Sequence, residues 1–181
     1  SVAGKKFARP DTEVYAVSPS TGPESIESMY DEYLAVPGVL SEIIKGDREE
    51  HADAFIIACF GDPGLLAAKE VTEKPVIGIA QAAFTVAKMI APNFSVVYVL
   101  DRSEQVVRES LHLHGVEQFC KSCRSTGLGV LDFDKDPETG LRALAEQGRK
   151  CVEGDGAECV VLGCAGFVQF VDALNQKLGV P

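Results

Sequence analysis

The chain has 181 residues, 46% hydrophobic and 24% charged, an ordinary globular balance that can fill the core of one domain or two small lobes. A formal net charge of −10 argues against nucleic-acid and anionic-membrane partners. No apolar run approaches the roughly 20 residues of a membrane helix, and the opening residues do not read as a signal peptide.

In chain order, Ser1 to Arg9 reads as the tail of a helix entering a loop. Thr12 to Val17 alternates and runs into Ser18-Pro19-Ser20-Thr21-Gly22-Pro23, so a strand followed by a loop is expected. Helical patterns cover Glu24 to Leu34 and Val39 to Lys45, separated by Pro37-Gly38. Ala54 to Cys59 is a buried-strand pattern. Gly61-Asp62-Pro63-Gly64 turns the chain, with Asp62 as N-cap and Pro63 at the first position of a helix that continues from Leu65 to Thr72.

Pro75 to Ile79 reads as a short strand, Gln81 to Ile90 as a helix and Phe94 to Leu100 as the next strand. A helix from Glu104 to about Leu113 stops at Gly115, and Ser125 to Leu131 reads as a short strand. Asp136-Pro137-Glu138 opens a long helix to about Glu153, Glu158 to Gly163 is a buried strand, and Gly166 to Leu178 a helix. Leu178 to Pro181 reads as a helix end entering a further strand, so the pattern implies one more element beyond each end. Strands alternating with helices predict an α/β fold of parallel sheets with right-handed crossovers.

Two stretches share one plan. Ala54-Phe55-Ile56-Ile57-Ala58-Cys59-Phe60-Gly61 and Cys159-Val160-Val161-Leu162-Gly163-Cys164-Ala165-Gly166 are each an apolar run, a small residue, a cysteine, a spacer and a glycine. In a parallel sheet this places both thiols at C-terminal strand ends, where such folds carry their chemistry. The glycine leaves backbone N–H groups free to face a cleft, and a following helix start would lower a thiol pKa and hold a developing oxyanion. A lone buried cysteine is usually structural. A duplicated one points to two proton-transfer groups across one cleft, suited to stereoinversion at a carbon beside a carbonyl.

The other candidates read more plainly. Cys120-Lys121-Ser122-Cys123 is a lone C-x-x-C without a second ligand pair, so a surface loop is favoured over a redox or zinc site, and no metal site is expected. Cys151 and Cys159 read as filler, and His51, His112 and His114 as surface residues. The small-residue turns Gly22 to Ile26 and Gly78 to Ala82 either line a cleft or pack tightly. No phosphate-binding glycine motif is present. Cysteines placed in strands rather than in a loop framework suggest reduced thiols and a cytoplasmic protein.

With these residues in view, the chain resembles the aspartate/glutamate/hydantoin racemase superfamily, most of all its hydantoin racemase branch, which includes allantoin racemases. The resemblance rests on Ser18-Pro19 with Gly22-Pro23-Glu24-Ser25-Ile26-Glu27, Tyr30-Asp31-Glu32, Ala58 to Gly64, Pro75 to Ala83, and Val161 to Gly166, and covers nearly the whole chain. It implies two similar α/β lobes about a pseudo-twofold axis, here 1–80 and 81–178, with 179–181 starting the return to the first. It also implies an active site between the lobes, with Cys59 and Cys164 catalytic. Ile26, Phe60, Gly61, Tyr98, Val99, Gly163, Ala165 and Gly166 are its expected substrate contacts.

The implied activity is cofactor-independent racemisation of 5-monosubstituted hydantoins, in a protein that commonly forms homo-oligomers. Ala165-Gly166 stand where amino-acid racemases carry Thr-His, which disfavours free glutamate or aspartate as substrate. Tyr98-Val99 replace a frequent Thr-Thr, and the branch's N-terminal Asn-Pro-Asn-Thr-like loop has no match. Phe60, Tyr98 and Phe167 suggest an apolar or aromatic substituent. The alternatives are a sister decarboxylase or isomerase, or a ligand-binding domain on the same scaffold.

Overall fold

The computed structural model describes residues 2–181. In chain order the helices and strands are α1 (Val2–Phe7), α2 (Met29–Arg48), β1 (Phe55–Ile57), α3 (Leu65–Val71), β2 (Val76–Gly78), α4 (Ile79–Ile90), β3 (Phe94–Tyr98), α5 (Glu104–Leu113), β4 (Cys120–Ser125), α6 (Asp132–Lys135), α7 (Pro137–Arg149), β5 (Val160–Leu162) and α8 (Val171–Leu178). A π-helical turn, Lys150–Gly154, extends α7, and a 3₁₀ segment, Ala165–Phe170, precedes α8. No helix among the described residues is long and apolar enough to cross a membrane.

The strands form two parallel sheets, β1-β2 and β4-β3-β5. All five residues of β3 are buried, as expected of a central parallel strand covered on both faces. Phe94, Val96 and Tyr98 point into one cluster with Phe84 of α4 and Val107 and Leu111 of α5. Val97 and Val99 point into the opposite cluster, with Leu144 of α7, Leu174 of α8, Phe133 and Phe167. The smaller sheet packs on α2 and α3 through Ile43, Ile57, Leu65, Ala68 and Val76. Because β4 and β5 flank β3 on opposite sides, the connections diverge at the C-terminal end of β3, the place where open parallel sheets form a crevice.

Four expectations change. Residues 12–17 form no strand; Tyr15 and Val17 are half exposed, and the segment meets no ladder partner. The helix expected from Glu24 starts instead at Met29, capped by the Ser28 side chain, and runs unbroken through Pro37. Pro37 removes one hydrogen bond, but its would-be acceptor belongs to the exposed Tyr33, whose carbonyl water can reach. Gly38 is buried because a Cβ there would meet Pro19 Cβ at 2.7 Å, so the 18–22 loop lies directly on the helix.

Asp62 does not cap the helix that follows it: α3 begins after Gly64, with no side-chain cap. The Asp62 carboxylate instead accepts from the N–H groups of Ala80 (3.0 Å) and Gln81 (2.8 Å), capping α4 from across the turn. Finally, the strand expected at Ser125 to Leu131 lies earlier, at β4, so the C-x-x-C sits in a strand rather than a loop. Its Cys, Ser, Lys and Arg content hides a strand that occupies a sheet edge.

Candidate active site

The C-terminal ends of β1, β3 and β5 open into one cavity of about 630 Å³. From β1 come Cys59, Phe60 and Gly61; from β3, Tyr98 and Val99; from β5, Gly163, Cys164, Ala165 and Gly166. Ile26 reaches the same cavity from the loop before α2. The residues singled out in the sequence for catalysis and substrate contact therefore meet in one place. Gly163 extends the β5 ladder, its N–H donating to Val97 O at 2.7 Å, and a Cβ there would crowd Tyr98 Cβ and Val97 O at 3.0 Å.

The aromatic rings are placed otherwise. Phe60 is 5% exposed, with its ring edge-on to Phe84 at 5.4 Å. Phe167 is fully buried, 4.5 Å from Phe133, and lies outside the cavity wall. Both serve the core, so neither supports the expected aromatic substituent pocket. Val99, Val106, Val107 and Val130 supply the apolar wall instead.

The thiols are half-buried, and burial raises both pKa values. Cys59 is pushed up to about 12, chiefly by burial and further by Glu32, Cys164 and Asp62, against one hydrogen bond from the Gly61 backbone. Cys164 is also raised by burial, against two backbone hydrogen bonds, from Gly166 and Phe167. The glycine N–H groups thus face the thiols as expected, but the expected net lowering does not occur. The reason is geometric. No helix starts directly behind Cys59, and only a 3₁₀ turn follows Cys164, so desolvation outweighs the donors.

Sequence reasoning read one part of this site only in fragments, Ile26 and the Gly22 to Ile26 turn, and missed two others. The loop Ser18 to Glu27 forms a whole wall of the cavity. Glu27 ties it down: one carboxylate oxygen accepts from Val130 N at 2.8 Å, the other pairs with Arg102, and its carbonyl accepts from Ser103 Oγ at 2.7 Å. The second part is Glu32, a buried carboxyl with one unpartnered oxygen set against Gly61, so that a Cβ on Gly61 would collide with it. Burial, then Glu109 and Asp62, raise Glu32 to about 7.

The third is His114, read as a surface residue but only 11% exposed in its side chain, with Nε2 3.3 Å from Asp62. The turn that carries Cys59 is therefore held by Asp62 and backed by Glu32.

The family model described as "Asp/Glu/Hydantoin racemase" matches residues 2–181. A hydantoin racemase of Pseudomonas sp. (strain NS671) is 52% identical over 179 residues, covering 99% of this chain and 72% of the relative. Among solved structures, an allantoin racemase from Klebsiella pneumoniae is 39% identical with a TM-score of 0.95, covering 99% of this chain and 73% of that one. The allantoin racemase of Pseudomonas fluorescens is 32% identical with a TM-score of 0.93, covering 98% and 75%. A two-sheet parallel α/β fold with paired Cys-x-Gly turns and matches of this extent lead to one conclusion: the chain belongs to the Asp/Glu/hydantoin racemase family.

Proposed function

We propose that the protein is a cofactor-independent racemase of 5-monosubstituted hydantoins, allantoin included, acting through Cys59 and Cys164 as two opposed proton-transfer groups. The observation that carries this reading is the convergence of two strand–Cys–x–Gly turns, one from each sheet, on a single cavity. In a hydantoin the C5–H lies beside the C4 carbonyl, so its loss gives a planar enolate. One thiolate removes that proton from one face, and the opposite thiol returns a proton to the other. Charge moves onto the substrate's own carbonyl, and the protein has only to hold two sulfurs and the ring.

The backbone donors set the order of ionisation. Cys164 has two and Cys59 one, while carboxyls oppose ionisation at both, Glu32 and Asp62 at Cys59 and Asp134 and Glu27 at Cys164. Both rest as thiols near neutral pH, and Cys164, with the extra donor, ionises first. Because both pKa values are raised, turnover increases toward alkaline pH. The cavity lies within the usual ligand range of about 300–1,000 Å³. Ser18, Ser20, Thr21 and Ser25 offer hydroxyls to ring amides or a ureido group, and the valine wall suits an alkyl group. All six cysteines are free thiols, which supports a cytoplasmic site of action. A homo-oligomer is part of the proposal, checked by light scattering after size exclusion.

The test follows optical activity of L- and D-forms of allantoin, benzylhydantoin and isopropylhydantoin. Cys59→Ser and Cys164→Ser should each lose at least about 100-fold in racemisation rate. Full activity in either variant overturns the proposal.

A further inference from the structure

The C-x-x-C motif is not used by the proposed reaction, and the structure gives it a geometry that a strand would ordinarily forbid. In a regular strand, residues three apart point to opposite faces and lie about 10 Å apart. Here Phe94 pairs with Cys120 and Val96 with Cys123, so three steps along β4 match two along β3. The extra residue is a β-bulge, and it restores parity: Cys120 and Cys123 face the same side, against the cluster that holds Phe94 and Val96. Their sulfurs are 3.8 Å apart.

The bulge is pinned from its other face. Ser122 Oγ donates to Asp155 at 2.5 Å and lies 2.8 Å from Ser95 Oγ, while Arg124 grips Asp155 through Nε and Nη2, both at 2.6 Å. Both cysteines are half-buried on an edge strand, so a small reagent can approach.

We propose that Cys120 and Cys123 form a redox-active dithiol that closes reversibly to a disulfide by exchange with a low-molecular-weight disulfide such as oxidised glutathione. Cys123 is the attacking thiol. Its ionised form accepts a hydrogen bond from the Cys120 thiol and faces the Arg108 guanidinium, which together hold its pKa below the ordinary thiol value, whereas Cys120 is raised. The Cys123 thiolate attacks one sulfur of the glutathione disulfide, forming a mixed disulfide and expelling one glutathione thiolate. Cys120 then loses its proton to solvent and attacks Cys123 Sγ, forming the protein disulfide and releasing the second glutathione. The protein gives up two electrons and two protons, and one glutathione disulfide becomes two thiols. Disulfide formation closes the sulfurs from 3.8 Å to a bond of about 2.05 Å.

Trypsin provides the readout, because it cleaves after Arg108, Lys121 and Arg124 and so separates the two cysteines. The full chain is equilibrated across glutathione buffers of rising oxidised fraction, acid-quenched, blocked with N-ethylmaleimide in denaturant and digested without reduction. Peptides 109–121 and 122–124 should appear disulfide-linked, in a proportion that grows with oxidised glutathione and vanishes with dithiothreitol. Cys59, Cys151, Cys159 and Cys164 should stay alkylated. Cys120→Ser should trap Cys123 as a mixed disulfide, and Cys123→Ser should leave Cys120 a free thiol. Alkylation of both wild-type thiols at every buffer ratio, or linkage to other cysteines, overturns the proposal; the reverse pattern in the two variants overturns the assignment of Cys123. None of these readouts depends on racemase activity.

Discussion

Asp62 is the polar group on which the geometry of the Cys59 turn depends most. Its carboxylate is fully buried, receives two N–H groups from the start of α4 and lies beside His114. Asp62→Ala leaves both N–H groups without their acceptor, that of Ala80 buried and that of Gln81 half-buried. Each charge-assisted bond contributes roughly 1.5–3 kcal/mol net, so the loss is about 3–6 kcal/mol. For a chain of this size, each kcal/mol moves the thermal midpoint by about 2–4 °C, so the expected fall is about 10 °C. Asp62 also has a φ of 51°, which alanine tolerates poorly. Asp62→Gly accepts that backbone, so it isolates the hydrogen-bond loss and should fall nearly as far; Asp62→Asn, with one acceptor left, should lose about half. Thermal unfolding at pH 7, followed by circular dichroism, gives all three. A midpoint for Asp62→Gly within about 2 °C of the wild type would show that the start of α4 does not depend on this cap.

Three further outcomes follow from the same region. Glu32 in the folded chain is raised to about 7, so it binds its proton more tightly than in the unfolded chain, at about 4.3. Its contribution to stability is therefore full below about pH 4.3 and is lost as pH rises through 7. Thermal midpoints measured from pH 5 to 8 should decline in the wild type and less in Glu32→Gln; parallel curves would contradict this. Gly61→Ala drives a methyl group onto the Glu32 carboxyl and should destabilise the chain, and Glu32→Ala should rescue part of that loss, as a double-mutant cycle of midpoints would show. Iodoacetamide at mildly alkaline pH should modify Cys164 several-fold faster than Cys59, because it has two backbone donors against one; equal or reversed rates, read by peptide mass spectrometry, would count against that ordering.

Much of the fold was legible because its signals are local. Phe55–Ile57, Phe94–Tyr98 and Val160–Leu162 are apolar, β-branched runs, and the first and third lead into the small residues Ala58 and Gly163, so the strand ends carrying Cys59 and Cys164 could be read directly. What stayed hidden depends on partners distant in sequence. Thr12 to Val17 alternates like a strand but has no sheet to join. Pro37-Gly38 looks like a helix break, yet Gly38 is there to let Pro19 pack on α2.

Asp62 carries a local capping signal for α3 and spends its carboxylate on α4. Phe60 sits beside a site cysteine in sequence but, in the turn after β1, sends its ring into the core against Phe84. The lowered thiol pKa expected from helix starts failed for a related reason: sequence shows the donors but not the desolvation that opposes them.

If two thiols act on opposite faces of one carbon, isotope incorporation at early time distinguishes them from a single group. One enantiomer of the best hydantoin substrate is converted in D₂O, and both enantiomers are separated and weighed by mass before a tenth or so of the substrate has reacted. Product should carry one deuterium at C5, delivered by the solvent-exchanged thiol, while remaining substrate stays protiated because its proton leaves to the other sulfur. Equal deuterium in remaining substrate and product would show a single group working on both faces, against the two-thiol mechanism.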